Sequence, residues 1–431
     1  MSVKSRLFST DEPMSRSIRI APKFTETVKL AVKRHGFLSQ RALASSVGLA
    51  RSTVANFLGG KRVDYATFID ICQNLDLNWQ EIVHIEEENG KGVDLVSEFY
   101  VERPPVEERC YEAIAKPGAL LRIKAPQNFG KSCLITKILA RAEQLGCETL
   151  TLSFDLADRS ILTDLEKFSQ WLCVAVSKKM KRANRLAEYW EDMLACNYNT
   201  TAYFQNYLLT DLPWPLLIVL DRVDLVFERP EISIDFCKLL RNWHDRARRG
   251  ESTSETWQKL RLTIAHATEV YGSLDINSSP LAGVGVVVEL PEFNPQQVRH
   301  LAGRRGLTWD AGTAEKLMRL VGGHPYLVQL AVNYIKEKDE NNEKDVTLDR
   351  LLLEAATEAG IYQNHLGQHL KQLERYEELT AAFAEVVKSN EAVLLKPEQA
   401  FKLQSMGLVT LKGNLARPRC DLYRQYFRDR L

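Results

Sequence analysis

Between Leu120 and Leu290 short apolar runs alternate with longer stretches whose apolar residues recur every three or four positions. The runs are Leu120–Lys124, Glu148–Phe154, Leu216–Leu220, Leu260–Ala267 and Val284–Leu290. Each has the length of a buried strand, and the stretches between them have the period of amphipathic helices. That alternation predicts a mostly parallel sheet with helices on both faces. Residues 294–358 read as helical. Residues 359–431 read as helices followed by a hairpin, Leu408–Leu411 and Leu415–Arg417 around Gly413-Asn414. No internal repeat is present.

Residues 24–85 carry a different pattern. In Ser39–Leu58 an apolar face of Leu43, Ala44 and Val47 is followed by Gly48, then by Val54, Phe57 and Leu58, then by Gly59-Gly60. Two short helices joined by a glycine turn and closed by glycine describe a helix-turn-helix. A third helical pattern, Tyr65–Leu75, offers Phe68, Ile71 and Cys72 to complete its core. Residues 1–23, rich in Ser and Arg, predict a flexible arm. Residues 86–98 (EEENGKGVDLVSE) predict a linker.

Composition narrows the class. The 431 residues predict two to four domains, and 45% hydrophobic with 26% charged residues excludes wholesale disorder. The net charge of +1 excludes a uniformly basic coat. It is unevenly spread: residues 1–62 hold 12 Lys and Arg against Asp11, Glu12 and Glu26, a balance of +9. On the second helix Arg51, Ser52, Thr53 and Asn56 are expected outward, types that reach base edges and phosphates, with Lys61 and Arg62 as a phosphate clamp. The alternative is an adaptor or dimerisation module. The eight cysteines form no C-x-x-C pair, and with no apolar signal core or membrane-length run the expectation is a cytoplasmic protein with no membrane partner.

The candidate chemistry lies in the alternating region. The run Leu120–Ile123 leads into Lys124-Ala125-Pro126-Gln127-Asn128-Phe129-Gly130-Lys131-Ser132 and then a helix over Cys133–Gln144. This is the phosphate-binding loop pattern with Ala125 in place of its first glycine. Loop N–H groups and the helix N-terminus would face phosphates, Lys131 would reach the β- and γ-phosphates, and Ser132 would ligate Mg²⁺. Pro126, Gln127, Asn128, Phe129, Gly130 and Cys133 complete the expected cradle. Ninety positions after Lys131, the strand Leu216–Leu220 ends in Asp221, expected to hold Mg²⁺. The next position, where a water-polarising glutamate is usual, is Arg222. Losing a general base typically costs 10²–10⁴-fold, so binding of ATP or ADP is expected with slow hydrolysis, Asp224 or Glu269 being the substitute bases.

With these motifs placed, about Phe99–Leu431 resembles the AAA-like P-loop ATPases of cyanobacterial signalling proteins, near the STAND class (signal-transduction ATPases with numerous domains). Four further stretches carry the resemblance. Phe99–Pro104, with Arg103, resembles the motif that packs on adenine and ribose. His266–Tyr271 resembles the strand end that senses γ-phosphate, which assigns that role to Thr268. Ser279–Phe293 resembles the loop that follows. Gly322–Leu327 resembles the lid's G-x-P motif, which brings His324 and Pro325 to the nucleotide. Leu408–Phe427 resembles a closing winged helix, and residues 24–84 resemble the repressor-type helix-turn-helix that heads many such chains.

The expected architecture is therefore a flexible arm (1–23), an all-α helix-turn-helix domain (24–85), a linker (86–98), an α/β P-loop NTPase core (99–293), a helical lid (294–358) and a winged-helix domain (359–431). The expected function is a nucleotide-gated switch that binds double-stranded DNA and self-associates. The alternatives are a signalling scaffold that recruits a separate protein effector, and an AAA+ ATPase that cycles hydrolysis on DNA. Three features carry plainer readings. His365 and His369, at i, i+4, read as a solvated helix face, and Asp155 and Asp158 as loop caps. The arginines of the last fifteen residues read either as a second DNA face or as a charged helix surface.

Overall fold

The computed structural model describes residues 17–21, 24–37, 39–47, 49–75, 77, 82–84, 100–250, 253–268, 280–340 and 347–431. Gly48, the 86–98 segment, Phe99, Glu269–Tyr271 and Ser279 lie outside the described residues. The chain divides after residue 94 into two compact units.

In the first unit, helices Thr25–Arg34, Gln40–Val47, Arg51–Leu58 and Tyr65–Asn74 enclose a core of Val28, Leu43, Val54, Phe57, Phe68 and Ile71. The Phe57 and Phe68 rings meet edge to face at 5.0 Å. Two expectations are corrected here. Ser17–Ile20, assigned to the flexible arm, is a strand (β1), and the unit is not all-α. β1 pairs antiparallel with Val63–Asp64 (β2) on one side and Val83–His84 (β3) on the other. Ile20 is buried against the helices. Four residues of alternation are too short a signal to stand out in a polar stretch, and the strand exists because two distant partners supply its ladder.

The second unit is built on the expected parallel sheet. Leu120–Ala125 (β4), Glu148–Ser153 (β5), Leu216–Asp221 (β6), Leu260–Ala267 (β7) and Val286–Glu289 (β8) lie in the order β5-β6-β7-β4-β8. The register runs Leu216↔Leu260 and Ile218↔Leu262 across β6–β7, and Leu120↔Leu262 across β4–β7. Strands β4, β6 and β7 are central and read as near-continuous apolar runs because helices cover both faces. Separate apolar clusters fill the two sides: Phe154, Phe168, Phe236 and Trp257 on one, Tyr100, Ile114, Ile123 and Ile138 on the other. The carboxyl ends of β4, β6 and β7 come out together, where ligands bind in open parallel sheets.

Helices Pro295–Arg304, Ala311–Val321, Pro325–Glu340 and Leu348–Glu354 follow, the first, second and fourth started by side-chain caps from Asn294, Asp310 and Thr347. Then come Gln363–Leu373, Glu377–Lys388, Val393–Leu394 (β9), Pro397–Ser405, the hairpin Val409–Lys412 (β10) and Leu415–Pro418 (β11), and Asp421–Arg428. The small sheet has the order β10-β11-β9. A single apolar cluster runs from Val298 and Leu317 through Leu366 and Phe383 to Phe427. The expected boundary at 358/359 thus crosses a shared core.

Candidate nucleotide site

The loop between β4 and helix Lys131–Gln144 is held in an unusual backbone path. Asn128 (φ 61°) and Gly130 (φ 86°) both occupy the left-handed region. At Gly130 a side chain would also be crowded, because a Cβ there would stand 3.2 Å from the guanidinium of Arg103. Arg103 is buried and braces the loop: its NH1 donates to the carbonyl of Phe129 at 2.8 Å and to that of Pro291 at 3.4 Å. It is itself oriented by Glu107, whose carboxylate accepts from the Arg103 N–H at 2.9 Å and from the Tyr100 hydroxyl. Lys131 Nζ lies back over the loop, donating to the carbonyls of Ala125 and Pro126 at 2.9 and 2.8 Å.

Asp221 ends β6. Its carboxylate accepts from the Arg222 N–H at 2.9 Å, and burial holds its pKa above the ordinary carboxylate value, against the opposing pull of Arg222 and Lys131. Asp224 is buried and accepts from the Ala267 N–H at 3.2 Å, which ties the end of β6 to the end of β7. Arg222 also sits in the left-handed region (φ 57°), which is uncommon for an arginine. Its guanidinium bridges Asp155, 3.3 Å away at the end of β5, and Asp224, 3.5 Å away. Asp155, set aside in the sequence as a loop cap, is therefore part of the site. It follows β5 as Asp221 ends β6, and that parallel was the available signal.

At the tip of β7 the Thr268 N–H donates to Ala125 of the loop at 3.1 Å, and its hydroxyl donates to the carbonyl of Ser405 at 2.8 Å. His266 is buried; its Nδ1 lies 2.9 Å from the Ala267 carbonyl, and desolvation lowers its pKa to about 4.

The C-terminal part of the unit packs directly on the loop. Gly407, at φ 75°, approaches Pro126 so closely that a Cβ would touch that ring at 3.4 Å. Phe129 meets the His324 ring edge to face at 4.6 Å, and the Arg419 guanidinium lies 5.5 Å from the Phe129 centroid. Arg419 also pairs with Glu292 at 3.0 Å. His365 and His369 correct a further expectation. They are buried rather than solvated, with ring centroids 4.6 Å apart, and His365 lies 5.2 Å from His324. His365 Nε2 and the Tyr423 hydroxyl are hydrogen-bonded at 2.7 Å. Desolvation pushes His324 and His365 well below the ordinary histidine value and His369 to about 4, so the cluster is neutral near pH 7. A cavity of about 10 Å³, room for one water, separates Pro126, Gln127 and Asn128 from His324, His369 and Gly407.

The expected site residues thus divide. Arg103, the loop from Pro126 to Lys131, Asp221, Arg222, Asp224, Thr268 and His324 are drawn together by the contacts above. Ser132 is exposed at the helix start and Pro325 is buried at the start of its helix. Cys133 is half-buried and packs against the apolar cluster on one face of the sheet. In the first unit Arg51, Ser52, Lys61 and Arg62 are exposed, while Thr53 and Asn56 are half-buried.

The residues fit a magnesium nucleotide. The glycine-constrained loop, a lysine held by carbonyls, an exposed Ser132 and a half-buried Asp221 carboxylate are the donor set that phosphate and Mg²⁺ require. The buried Nδ1 atoms of His324 and His369, which make no hydrogen bond, leave polar capacity at the same place.

Comparison with known proteins bears on the fold and the family. The Walker-type ATPase of Pyrococcus abyssi superposes with a TM-score of 0.52 at 13% identity, over 76% of this chain and 96% of that one. The Aeropyrum pernix ORC1 protein, solved in complex with DNA, gives 0.39 at 14% identity over 78% and 94%. The STAND protein with a tetratricopeptide-repeat sensor from Pyrococcus horikoshii gives 0.34 at 16% identity over 79% and 45%. The first of these shows a shared fold. No curated protein sequence matches the chain. The family described as AAA-like domain matches residues 89–429, the whole of the sheet, the loop and the C-terminal elements that close on it. The chain belongs to that AAA-like family.

Proposed function

We propose that this protein is an ATP-binding, nucleotide-gated switch whose N-terminal helix-turn-helix binds double-stranded DNA. Mg²⁺–ATP would be held by the loop N–H groups, by Lys131, and through the metal by Ser132 and Asp221. When bound it supplies concentrated negative charge at the loop. The observation that carries the reading is the Thr268–Ser405 hydrogen bond, which joins the strand end beside the loop to the C-terminal region. Residues that would answer to phosphate are thereby shared with residues that hold the C-terminal elements closed, and a ligand that favours one arrangement shifts the population. Residues 359–431, with their hairpin and flanking helices, serve in this reading as a winged helix.

Turnover is slow in this proposal. Arg222 occupies the position of the usual base and is engaged by Asp155 and Asp224, so neither carboxylate is disposed to polarise water. Self-association under ATP would bring two helix-turn-helix modules to adjacent half-sites. The test is calorimetry followed by gel shift on the full chain. Lys131→Ala should abolish ATP binding, and Asp221→Ala should weaken the Mg²⁺-dependent part while sparing some Mg²⁺-free affinity. ATP should then tighten a salt-dependent DNA complex of the wild type and not of Lys131→Ala. Unchanged ATP affinity in Lys131→Ala would overturn the site. ATP-dependent capture of a protein, with DNA binding weak and sequence-blind, would move the function to a signalling scaffold.

A further inference from the structure

A groove of about 330 Å³ runs between helix Cys196–Tyr203 and helix Pro230–Arg246, and its lining shares no residue with the nucleotide site. Packed helices normally meet through apolar stripes. Here Asn197, Thr201 and Gln205, at every fourth position, face Lys238, Asn242 and Arg246 at the same spacing. Gln205 and its neighbour Asn206 belong to a π-helical turn, Phe204–Leu208, a rare local form that recurs at functional sites.

The polar groups are unevenly satisfied. The lining contains two cations and no carboxylate. Lys238 is answered by Asp235 at 3.0 Å. Arg246 has amides instead: Nε donates to Asn242 Oδ1 at 2.8 Å and NH1 to Gln205 Oε1 at 3.4 Å. A guanidinium positioned by neutral groups beside an open groove is a receptor for a planar anion. At the other end Asn197 gives its Nδ2 to the Asp235 carbonyl at 2.9 Å, while its Oδ1 is buried and accepts nothing. That end calls for an N–H donor.

Eight helical residues separate Asn197 from Gln205, roughly 12 Å at 1.5 Å each. An extended peptide advances about 3.3–3.6 Å per residue, so about three residues span the distance. We propose that this groove binds the free C-terminal end of a peptide, with the terminal carboxylate on Arg246 and an upstream backbone N–H on Asn197. The side-chain amides of Asn206 and Asn242 match the peptide groups between. This site is independent of the nucleotide reading.

The groove has its own reporters. Trp257 Nε1 donates to the same Gln205 Oε1 at 3.0 Å, and Trp243 Nε1 donates to Thr201 Oγ1 at 3.0 Å. The experiment titrates the full-length protein with triglycine, triglycinamide and acetate, following tryptophan emission and heat. Triglycine should saturate in the millimolar range, the scale for so small a ligand. Triglycinamide should bind at least about tenfold more weakly, as should triglycine to Arg246→Gln, since each removes one half of a charge-assisted pair. Asn197→Ser, a second variant that leaves the arginine in place, should weaken triglycine and leave acetate unchanged. Equal binding of triglycine and triglycinamide, acetate as strong as triglycine, or no saturable signal from any of the three would overturn the proposal.

Discussion

The Thr268 hydroxyl donates to the Ser405 carbonyl at 2.8 Å, joining the tip of β7 to the last turn of helix Pro397–Ser405. A helix's terminal carbonyls have no intrahelical partner, and Thr268 satisfies this one while the C-terminal elements stay on the loop. Thr268→Val keeps the shape and removes the donor. Stability should fall by about 1 kcal/mol, and a fluorescent ATP analogue should associate faster in stopped flow. An unchanged association rate would uncouple the C-terminal region from nucleotide access.

Arg222 is expected to act as a brace between two carboxylates as well as a missing base. Arg222→Gln should remove the bridges to Asp155 and Asp224 and lower stability by no more than about 1 kcal/mol, because the pair is partly exposed and screened. Arg222→Glu places a third carboxylate beside them and should be less stable than Arg222→Gln. The gap should narrow on acidification, when carboxylates are protonated. Thermal melts of both variants across pH check this, and wild-type turnover of many per second without a partner would contradict the slow-site reading.

The buried histidines predict acid lability with a definite sign. His369 and His266 fall from the ordinary 6.5 to about 4, and His324 and His365 are also lowered, all chiefly by desolvation. Between these values the unfolded chain binds protons that the folded chain refuses, so stability rises with pH across the window. It is complete above about pH 6.5 and declines as pH falls from there toward 4. His369→Gln should flatten the decline by up to about 3 kcal/mol, the equivalent of its shift. Urea denaturation between about pH 4.5 and 7.5 measures the slope, and a slope unaltered by the substitution would remove His369 from the account.

For the first unit, Arg51 and Lys61 separate two kinds of contact. Arg51→Ala should cost about 1–3 kcal/mol on a preferred DNA site and relax its specificity. Lys61→Ala should weaken all sequences alike and reduce the salt slope by about one. Filter binding at several salt concentrations distinguishes them. Sequence-blind binding that ignores Arg51→Ala would place the module among protein adaptors.

Much of this was legible in the chain alone. β7 has the bounds its apolar run predicts, β4, β5 and β6 differ from theirs by one residue at the carboxyl end, and β8 is shorter by two residues at its start and one at its end. The loop, Lys131 and Asp221 stand out because strand, glycine and carboxylate follow in an order that local sequence can display. Local pattern reports which face of an element is apolar, over a span of a few residues. It does not report what covers that face. His365 and His369 have the spacing of a solvated stripe, and packing against His324 and Tyr423, distant in sequence, accompanies their burial. Arg222 meets Asp155 across 67 residues and Thr268 meets Ser405 across 137. Ser17–Ile20 becomes a strand only because β2 and β3 flank it. The chain by itself determined the sheet, the phosphate loop and the order of the motifs, since each is written in short-range periodicity. Tertiary packing alone decided which polar side chains converge on the loop, because burial and pairing depend on elements that sequence distance keeps apart.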